Sequence, residues 1–192
     1  MLSKSKSAKS ELRSDLLQQL KNVTDKQQAE WSALIQSKLK YLLSNETGYW
    51  GAFQNLQNEP QLNWELVSEK INWCFPQVEN ESIKFKYQAS HFQLSGLGVQ
   101  EPVNGEIIPA EKLDGVIVPG LAFSEKGHRL GRGKGYYDRQ LAQFKGKKIG
   151  VCYTLTLVKD LPSESHDVLF HHIVTESSLY HVAHSEGDSK WN

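Results

Sequence analysis

The chain has 192 residues, of which 39% are hydrophobic and 23% are charged, as is typical of one globular domain with a sizeable core. Its 22 Lys and Arg residues balance its 22 Asp and Glu residues, which argues against a nucleic acid or an anionic membrane as a partner recruited by net charge. No window approaches the ~20 apolar residues of a membrane span. We therefore expect a cytoplasmic monomer that binds neither nucleic acid nor a membrane.

The N-terminal part of the chain predicts an amphipathic helical pair. Leucines recur at helical spacing between Lys9 and Val23, and Thr24 with Gln27 forms a capping box for a second helix. The apolar face of that second helix comprises Trp31, Leu34, Ile35, Leu39, Leu42 and Leu43. We expect residues 1–8 and the polar segment 185–192 to be flexible tails.

The next segments alternate between strand and helix patterns. They predict a strand over 49–56, a short helix over 63–70, a strand over 71–76 and a half-buried antiparallel strand over 82–88. A continuous apolar run follows at 113–119, further strands are predicted at 147–153 and ending at 173–176, and a helical pattern lies at 139–144. This order predicts a single α/β domain with a mixed, largely parallel sheet and helices on both faces.

A glycine-rich basic loop, residues 127–138, connects the apolar run at 113–119 to the predicted helix. Glycines permit positive φ and let backbone N–H groups approach a ligand, and successive N–H groups form a concavity that binds anions. A following helix N-terminus favours negative charge further. The spacing matches neither a P-loop nor a dinucleotide fingerprint, because Gly135 follows Lys134 and Tyr136 and Asp138 occupy the closing positions. The loop predicts a site for a phosphate chain.

The loop and its flanks carry a family resemblance. Pro119 to Phe123, then Gly127, then the unbroken run from Arg129 to Asp138 resemble the signature of 5-formyltetrahydrofolate cyclo-ligase, also called methenyltetrahydrofolate synthetase. The resemblance implies ATP-driven closure of 5-formyltetrahydrofolate to 5,10-methenyltetrahydrofolate, with Mg²⁺ and the release of ADP and phosphate. It covers the chain from Lys9 to Glu176.

The resemblance also implies roles for individual residues. Arg132 and Lys134 would stabilise the transferred phosphoryl group, and the sequence does not choose between them. Glu59 and Tyr136 would bind the folate, and Asp138 and Asp167 would hold Mg²⁺. ATP would be bound by Lys9, Arg13, Arg129, Leu130, Gly131, Arg132, Gly133, Lys134, Gly135, Tyr136 and Tyr137.

Two departures from the family pattern leave room for another ATP-dependent ligase on the same scaffold. The family usually follows its Glu with an acid and a Thr, whereas this chain has Pro60, Gln61 and Leu62 after Glu59. Leu97 stands where the family often has an aromatic residue.

A binding module for single-stranded RNA is a further alternative. The loop cations would contact the RNA backbone, and the two tyrosines at 136 and 137 would stack on bases. The zero net charge and the single basic cluster weigh against it.

The remaining metal and redox signals are weak. Cys74 and Cys152 each lie among apolar neighbours, which favours buried free thiols over a disulfide or a catalytic role. The histidine pairs 171/172 and 181/184 lack partners at zinc spacing. We expect no transition-metal site.

Overall fold

The computed structural model describes residues 2–163 and 167–182, and for 2–7 only the backbone. The expected tail at 185–192 lies outside the described residues. The helices are α1 (Leu2–Leu20), α2 (Asp25–Leu42), α3 (Trp64–Val67) and α4 (Tyr136–Leu141). The strands are β1 (Gly48–Gly51), β2 (Ile71–Glu79), β3 (Ser82–Tyr87), β4 (Phe92–Leu94), β5 (Gln100–Pro102), β6 (Glu106–Ile108), β7 (Leu113–Pro119), β8 (Ala122–Ser124), β9 (Arg129–Leu130), β10 (Lys147–Val151), β11 (Leu157–Val158), β12 (His172–Val174) and β13 (Leu179–His181).

An eight-stranded sheet organises the described part of the chain, in the order β13-β12-β10-β7-β1-β2-β3-β6. The pairs from β12 through β2 are parallel, whereas the outer pairs β13-β12, β2-β3 and β3-β6 are antiparallel. Strands β8, β9 and β11 form a small separate sheet, and β4 pairs only with β5. The prediction of a mixed, largely parallel sheet is confirmed.

Apolar side chains pack on both faces of the sheet. Helices α1, α2 and α3 contribute to one core cluster, whereas Leu141 of α4 belongs to the other. Strand β7 serves both clusters, with Ile117 on the first face and Val116 and Val118 on the second. Trp50 of β1 lies against its register partner Gly115, where a Cβ would meet the indole at 2.4 Å. The predicted helices on both faces are therefore present.

The predicted N-terminal helical pair is present as α1 and α2. The Thr24 hydroxyl accepts a hydrogen bond from the Gln27 amide, and the Gln27 side chain accepts one from the Thr24 amide, which is the predicted capping box. Helix α1 begins at Leu2, inside the segment 1–8 that we expected to be a tail. Leu34 was predicted on the buried face of α2 but is 49% exposed.

Several predicted boundaries were wrong. Strand β1 ends at Gly51 rather than 56, because the chain then leaves the sheet and the Trp64 indole N–H donates to the Phe53 carbonyl. Helix α3 ends at Val67 rather than 70, and β10 ends at 151 rather than 153. Helix α4 occupies 136–141 rather than 139–144.

Candidate active site at the carboxyl edge of the sheet

A cavity of about 270 Å³ lies beyond the carboxyl ends of β1 and β7. The chain runs from β1 to β2 on one side and later returns to β7 on the other side of β1. Ligands of open α/β sheets bind at such a reversal of strand order. The cavity wall includes Phe53 to Glu59 after β1, Pro119 and Leu121 after β7, and much of the glycine-rich loop.

A hairpin brings the glycine-rich loop to this edge. Strands β8 and β9 pair antiparallel around a turn in which Gly127 has a φ of 85°. After β9 the loop runs from Gly131 to Gly135, and Gly133 and Gly135 have φ values of 98° and 68°. Both values lie where a Cβ is disfavoured, so these two glycines are needed for the conformation. Gly135 is also the N-cap of α4.

The loop uses its carbonyls, but not its amides, for contacts with the rest of the described chain. The Gly131 carbonyl accepts from Arg13 Nε at 2.9 Å, and the Lys134 carbonyl accepts from Arg139 Nη1 at 3.2 Å. Within residues 2–163 and 167–182, no backbone amide from Gly131 to Gly135 donates to a carbonyl. Such amides can bind an anion without breaking an internal hydrogen bond.

Glu59 and Arg132, both predicted site residues, form an ion pair in the cavity wall. Arg132 Nε donates to Glu59 Oε1 at 3.1 Å, and the Leu56 amide donates to Glu59 Oε2 at 3.2 Å. The Glu59 side chain is 7% exposed, whereas that of Arg132 is 35% exposed. A buried carboxylate requires such a partner, so Glu59 fixes Arg132 beside the cavity.

Arg129 is held more firmly than the other loop cations. Its Nε donates to the Pro119 carbonyl at 3.0 Å, and its Nη1 pairs with Asp138 Oδ1 at 3.0 Å. Its guanidinium also lies 5.1 Å from the centre of the Tyr137 ring, a favourable cation–π contact. Its side chain is 10% exposed, so Arg129 acts as a buried link between the end of β7 and the start of α4.

Tyr136 and Tyr137 both line the cavity. The Arg139 guanidinium lies 5.4 Å from the centre of the Tyr136 ring. Burial raises the pKa of the Tyr137 hydroxyl well above its usual value, and Arg129 offsets part of that rise. Tyr137 therefore remains a neutral phenol at physiological pH.

Helix α1 contributes the two predicted N-terminal cations. Arg13 contacts the loop through the Gly131 carbonyl, as described above. Lys9 Nζ lies 3.3 Å from Asp167 Oδ2. Both side chains are partly buried, and each joins α1 to a segment more than 100 residues away in the chain.

The two predicted magnesium ligands are each paired with a cation, Asp138 with Arg129 and Asp167 with Lys9. Among the described residues, no three His, Cys, Asp or Glu side chains lie close enough to hold a metal ion. The residues therefore do not form a metal cage in advance. A magnesium ion held chiefly by nucleotide phosphates and water would require only one or two carboxylates.

The sequence did not predict the hairpin formed by β4 and β5, although Leu97, in the loop between the two strands, was compared with a family position. Leu97, Val99 and Glu101 of this segment line the cavity. The hairpin packs beside β2, with the rings of Phe75 and Phe92 edge to face at 5.5 Å. The signal that could have marked this hairpin as part of the site is Glu101, a carboxylate near the apolar residues Leu97 and Val99. Strands β4 and β5 have only three residues each, which is too few for an alternating pattern to show which side chains point inward.

The fold and the site together define an α/β protein with a cavity at the carboxyl edge of its parallel strands, bordered by a glycine-rich loop whose amides donate to no described carbonyl. The family model described as the 5-formyltetrahydrofolate cyclo-ligase family matches residues 5–176. The chain belongs to that family, as its loop suggested. This membership does not favour the RNA-binding alternative.

Individual relatives agree with the family match. The chain is 34% identical over 96 residues to the 5-formyltetrahydrofolate cyclo-ligase of Escherichia coli (strain K12), covering 47% of this chain and 53% of that protein. The chain thus spans about half the length of the first curated relatives it matches. The Mus musculus protein of the same name is 24% identical over 200 residues, covering 90% of this chain and 95% of that protein.

A solved structure supports the fold. The NMR structure of Aquifex aeolicus 5,10-methenyltetrahydrofolate synthetase is similar to this chain with a TM-score of 0.82 and 30% identity. The similarity covers 93% of this chain and 95% of that one. The overall fold of the chain is therefore similar to that of this solved protein.

Proposed function

We propose that the chain catalyses the ATP-dependent cyclisation of 5-formyltetrahydrofolate to 5,10-methenyltetrahydrofolate, giving ADP and phosphate. One observation carries the proposal. The loop from Gly131 to Gly135, with amides that bond to no described carbonyl, borders the cavity together with Arg132 and Lys134. The opposite wall is largely apolar and suits a flat ring system. The site thus offers a phosphate subsite and a ring subsite side by side.

The chemistry requires activation of a poor leaving group. The formyl oxygen attacks the γ-phosphorus of ATP, and the bond from that phosphorus to the β,γ-bridging oxygen breaks to release ADP. N10 then attacks the activated formyl carbon and loses its proton, and phosphate departs with the former formyl oxygen. Phosphoryl transfer asks the protein chiefly to position the reactants and to neutralise charge on the equatorial oxygens.

The loop residues fit that task. We assign ATP binding to the loop amides with Arg129, Leu130 and the ring edges of Tyr136 and Tyr137, aided by Lys9 and Arg13 of α1. Arg132 and Lys134 stabilise the transferred group. Lys134 is exposed and can turn to a phosphate at small cost in desolvation, whereas Arg132 is paired with Glu59 through Nε and would reach a phosphate with its terminal guanidinium nitrogens.

The folate would occupy the other half of the cavity. Tyr136 offers a ring face for stacking, and Glu59, which is paired with Arg132 in the cavity wall, would border the folate. Leu97 at the rim is 39% exposed, which leaves this side apolar without an aromatic partner. The family membership favours the folate over the substrate of another ligase.

Magnesium would enter with ATP, and Asp138 and Asp167 are the carboxylates we propose for it. Binding would require each carboxylate to release its present cation, Arg129 or Lys9, to contact the metal. Asp138→Asn should weaken ATP binding in the presence of Mg²⁺ and leave it unchanged with EDTA. Isothermal titration across a magnesium series measures both, and equal affinity throughout would remove Asp138 from the site.

The location and assembly of the protein are further parts of the proposal. Within residues 2–163 and 167–182, no helix is long and apolar enough to cross a membrane. Two buried free cysteines support a reducing cytoplasm, and the zero net charge supports a protein without a nucleic-acid partner.

We propose that the protein is a monomer. Light scattering at micromolar concentration checks that state, and a mass of two chains would contradict it.

The test of the function is a spectrophotometric assay for methenyltetrahydrofolate formed from 5-formyltetrahydrofolate and MgATP. We expect turnover that requires both substrates, with Lys134→Ala as the impaired control. RNA titrations at two salt concentrations serve as the counter-test. Strong, salt-dependent RNA binding without folate turnover would overturn the proposed enzyme.

A further inference from the structure

Two carboxylates line the cavity, and they differ in how their oxygens are used. Glu59 accepts a hydrogen bond on each oxygen, from Arg132 and from the Leu56 amide. Glu101 accepts on Oε2 alone, from the Val78 amide at 3.2 Å. No other described residue donates to Oε1 of Glu101. The unengaged carboxylate oxygen of the cavity wall is therefore that of Glu101.

The sheet fixes the position of Glu101. Val78 pairs with Ile83 of β3 on one edge of β2, and on the other edge its amide donates to the Glu101 carboxylate. Strand β1 pairs with β2 only as far as Cys74, so the β4–β5 hairpin takes its place beyond that point. Glu101 is thus anchored through one oxygen, which is the arrangement a binding residue needs.

The surroundings of Glu101 make its acceptor valuable to a ligand. Val78, Ile83, Leu97 and Val99 line the cavity with it. A charged acceptor beside apolar walls forms a stronger hydrogen bond than one in water. The site therefore selects a ligand that combines an apolar, flat body with N–H donors at its edge.

We propose that Glu101 is a further substrate-binding residue, whose Oε1 accepts a hydrogen bond from the aminopyrimidinone edge of the reduced pterin. That edge carries a ring N–H next to an exocyclic amino group, a pair of donors that complements a carboxylate. This inference rests on the proposed function, since it takes the substrate to be a folate. Glu101 binds and orients the ring and takes no part in the phosphoryl transfer.

The competing explanation is structural: Glu101 would serve only to satisfy the Val78 amide. Glu101→Gln separates the two. The glutamine carbonyl can still accept from Val78, but its amino group would then present donors to the donors of the pterin. A purely structural role predicts rescue by glutamine, and a binding role predicts failure. Glu106→Gln, an exposed glutamate of β6 outside the cavity wall, is the matched control.

The experiment measures equilibrium binding of 5-formyltetrahydrofolate and, separately, of ATP by isothermal titration, with turnover assayed on the same samples. We expect Glu101→Gln to weaken folate binding about 10-fold or more. ATP affinity and the thermal midpoint should be unchanged, and Glu106→Gln should match the parent. Folate affinity equal to that of the parent would overturn the inference.

A ligand-side test covers the case in which Glu101→Gln folds poorly. The affinity of the unaltered protein for a 2-desamino analogue of the folate should be lower than its affinity for the folate by about 10-fold or more, and equal affinity would overturn the inference.

Tight folate binding without turnover would defeat the proposed function and leave the assignment of Glu101 standing. No folate binding by the unaltered protein would overturn both.

Discussion

Glu59 and Arg132 are 73 positions apart in the chain. Their ion pair joins the segment after β1 to the glycine-rich loop in the cavity wall. The sequence predicted both as site residues, because the loop that carries Arg132 has a long and specific pattern. It could not predict their contact, because short-range periodicity carries no information on which side chains meet across such a separation. Arg132 is partly exposed, but its partner is a buried carboxylate.

The ion pair with Glu59 predicts different effects on stability for the two candidate catalytic cations, Arg132 and Lys134. Lys134→Ala should lower kcat about 100-fold or more without changing the thermal midpoint, because the side chain is exposed. Arg132→Ala should also lower kcat and, in addition, destabilise the fold by about 1–3 kcal/mol, because Glu59 is left buried without its cation. Steady-state kinetics and urea unfolding measure the two effects.

Glu59→Gln supplies the control for Arg132→Ala. Added to that variant, it removes the uncompensated charge and should restore part of the lost stability. Parental turnover by Lys134→Ala would remove its assigned role, and an Arg132→Ala variant of unchanged stability would show that Glu59 does not depend on the pair.

Among the elements, those with long, uniform patterns were predicted best. Strand β7 begins at Leu113 and ends at Pro119 as predicted, because seven residues that are almost all buried give a continuous apolar run. The β8–β9 hairpin and strand β13 were missed. Their strands have only two or three residues, which is too few to show a period, and tertiary pairing rather than local preference forms them.

The glycine-rich loop itself depends on backbone conformation at Gly135. Gly135→Ala should destabilise the protein by about 1–2 kcal/mol, because its φ of 68° places the residue in the left-handed region. Gly135→Asn should cost less, since asparagine tolerates that region better. Chemical unfolding of the two variants ranks them. An alanine variant as stable as the parent would show that the left-handed N-cap of α4 is not required.

For the whole molecule, the sequence predicted the class of fold but not the order of the strands. Strand order is set by pairings such as β1 with β7, in which Trp50 lies beside Gly115, and neither residue signals its partner locally. The cavity follows from that order, since it lies beyond the carboxyl ends of β1 and β7, where the strand order reverses. Glu59, which the resemblance assigned to folate binding, lies in the wall of this cavity.

The buried thiols should make the free energy of unfolding fall at alkaline pH. Burial raises the pKa of Cys152 from 9.0 to about 12, an effect that Glu176 adds to and a hydrogen bond with Thr156 opposes. Burial likewise raises the pKa of Cys74 to about 12. Between pH 9 and pH 12 each thiol has lost its proton in the unfolded chain but retains it in the folded protein. The contribution of the thiols to the free energy of unfolding is therefore fully present below pH 9 and is lost as the pH rises toward 12.

Urea unfolding under reducing conditions at pH 8, 9, 10 and 11 measures this dependence. Each buried thiol should contribute a decline of up to about 1.4 kcal/mol per pH unit above pH 9. Cys152→Ala should flatten the decline, although it lowers stability at pH 8 by leaving a small cavity. The same slope in both proteins would show that Cys152 ionises alike in the folded and unfolded states.

The central claim is that the glycine-rich loop holds ATP so that its γ-phosphoryl group activates the formyl oxygen. The most direct measurement supplies 5-formyltetrahydrofolate labelled with ¹⁸O in the formyl group, together with MgATP, and analyses the released phosphate by mass spectrometry. We predict one ¹⁸O atom in each phosphate released, in step with the methenyltetrahydrofolate formed. Phosphate without the label, or no methenyltetrahydrofolate at all, would contradict the claim.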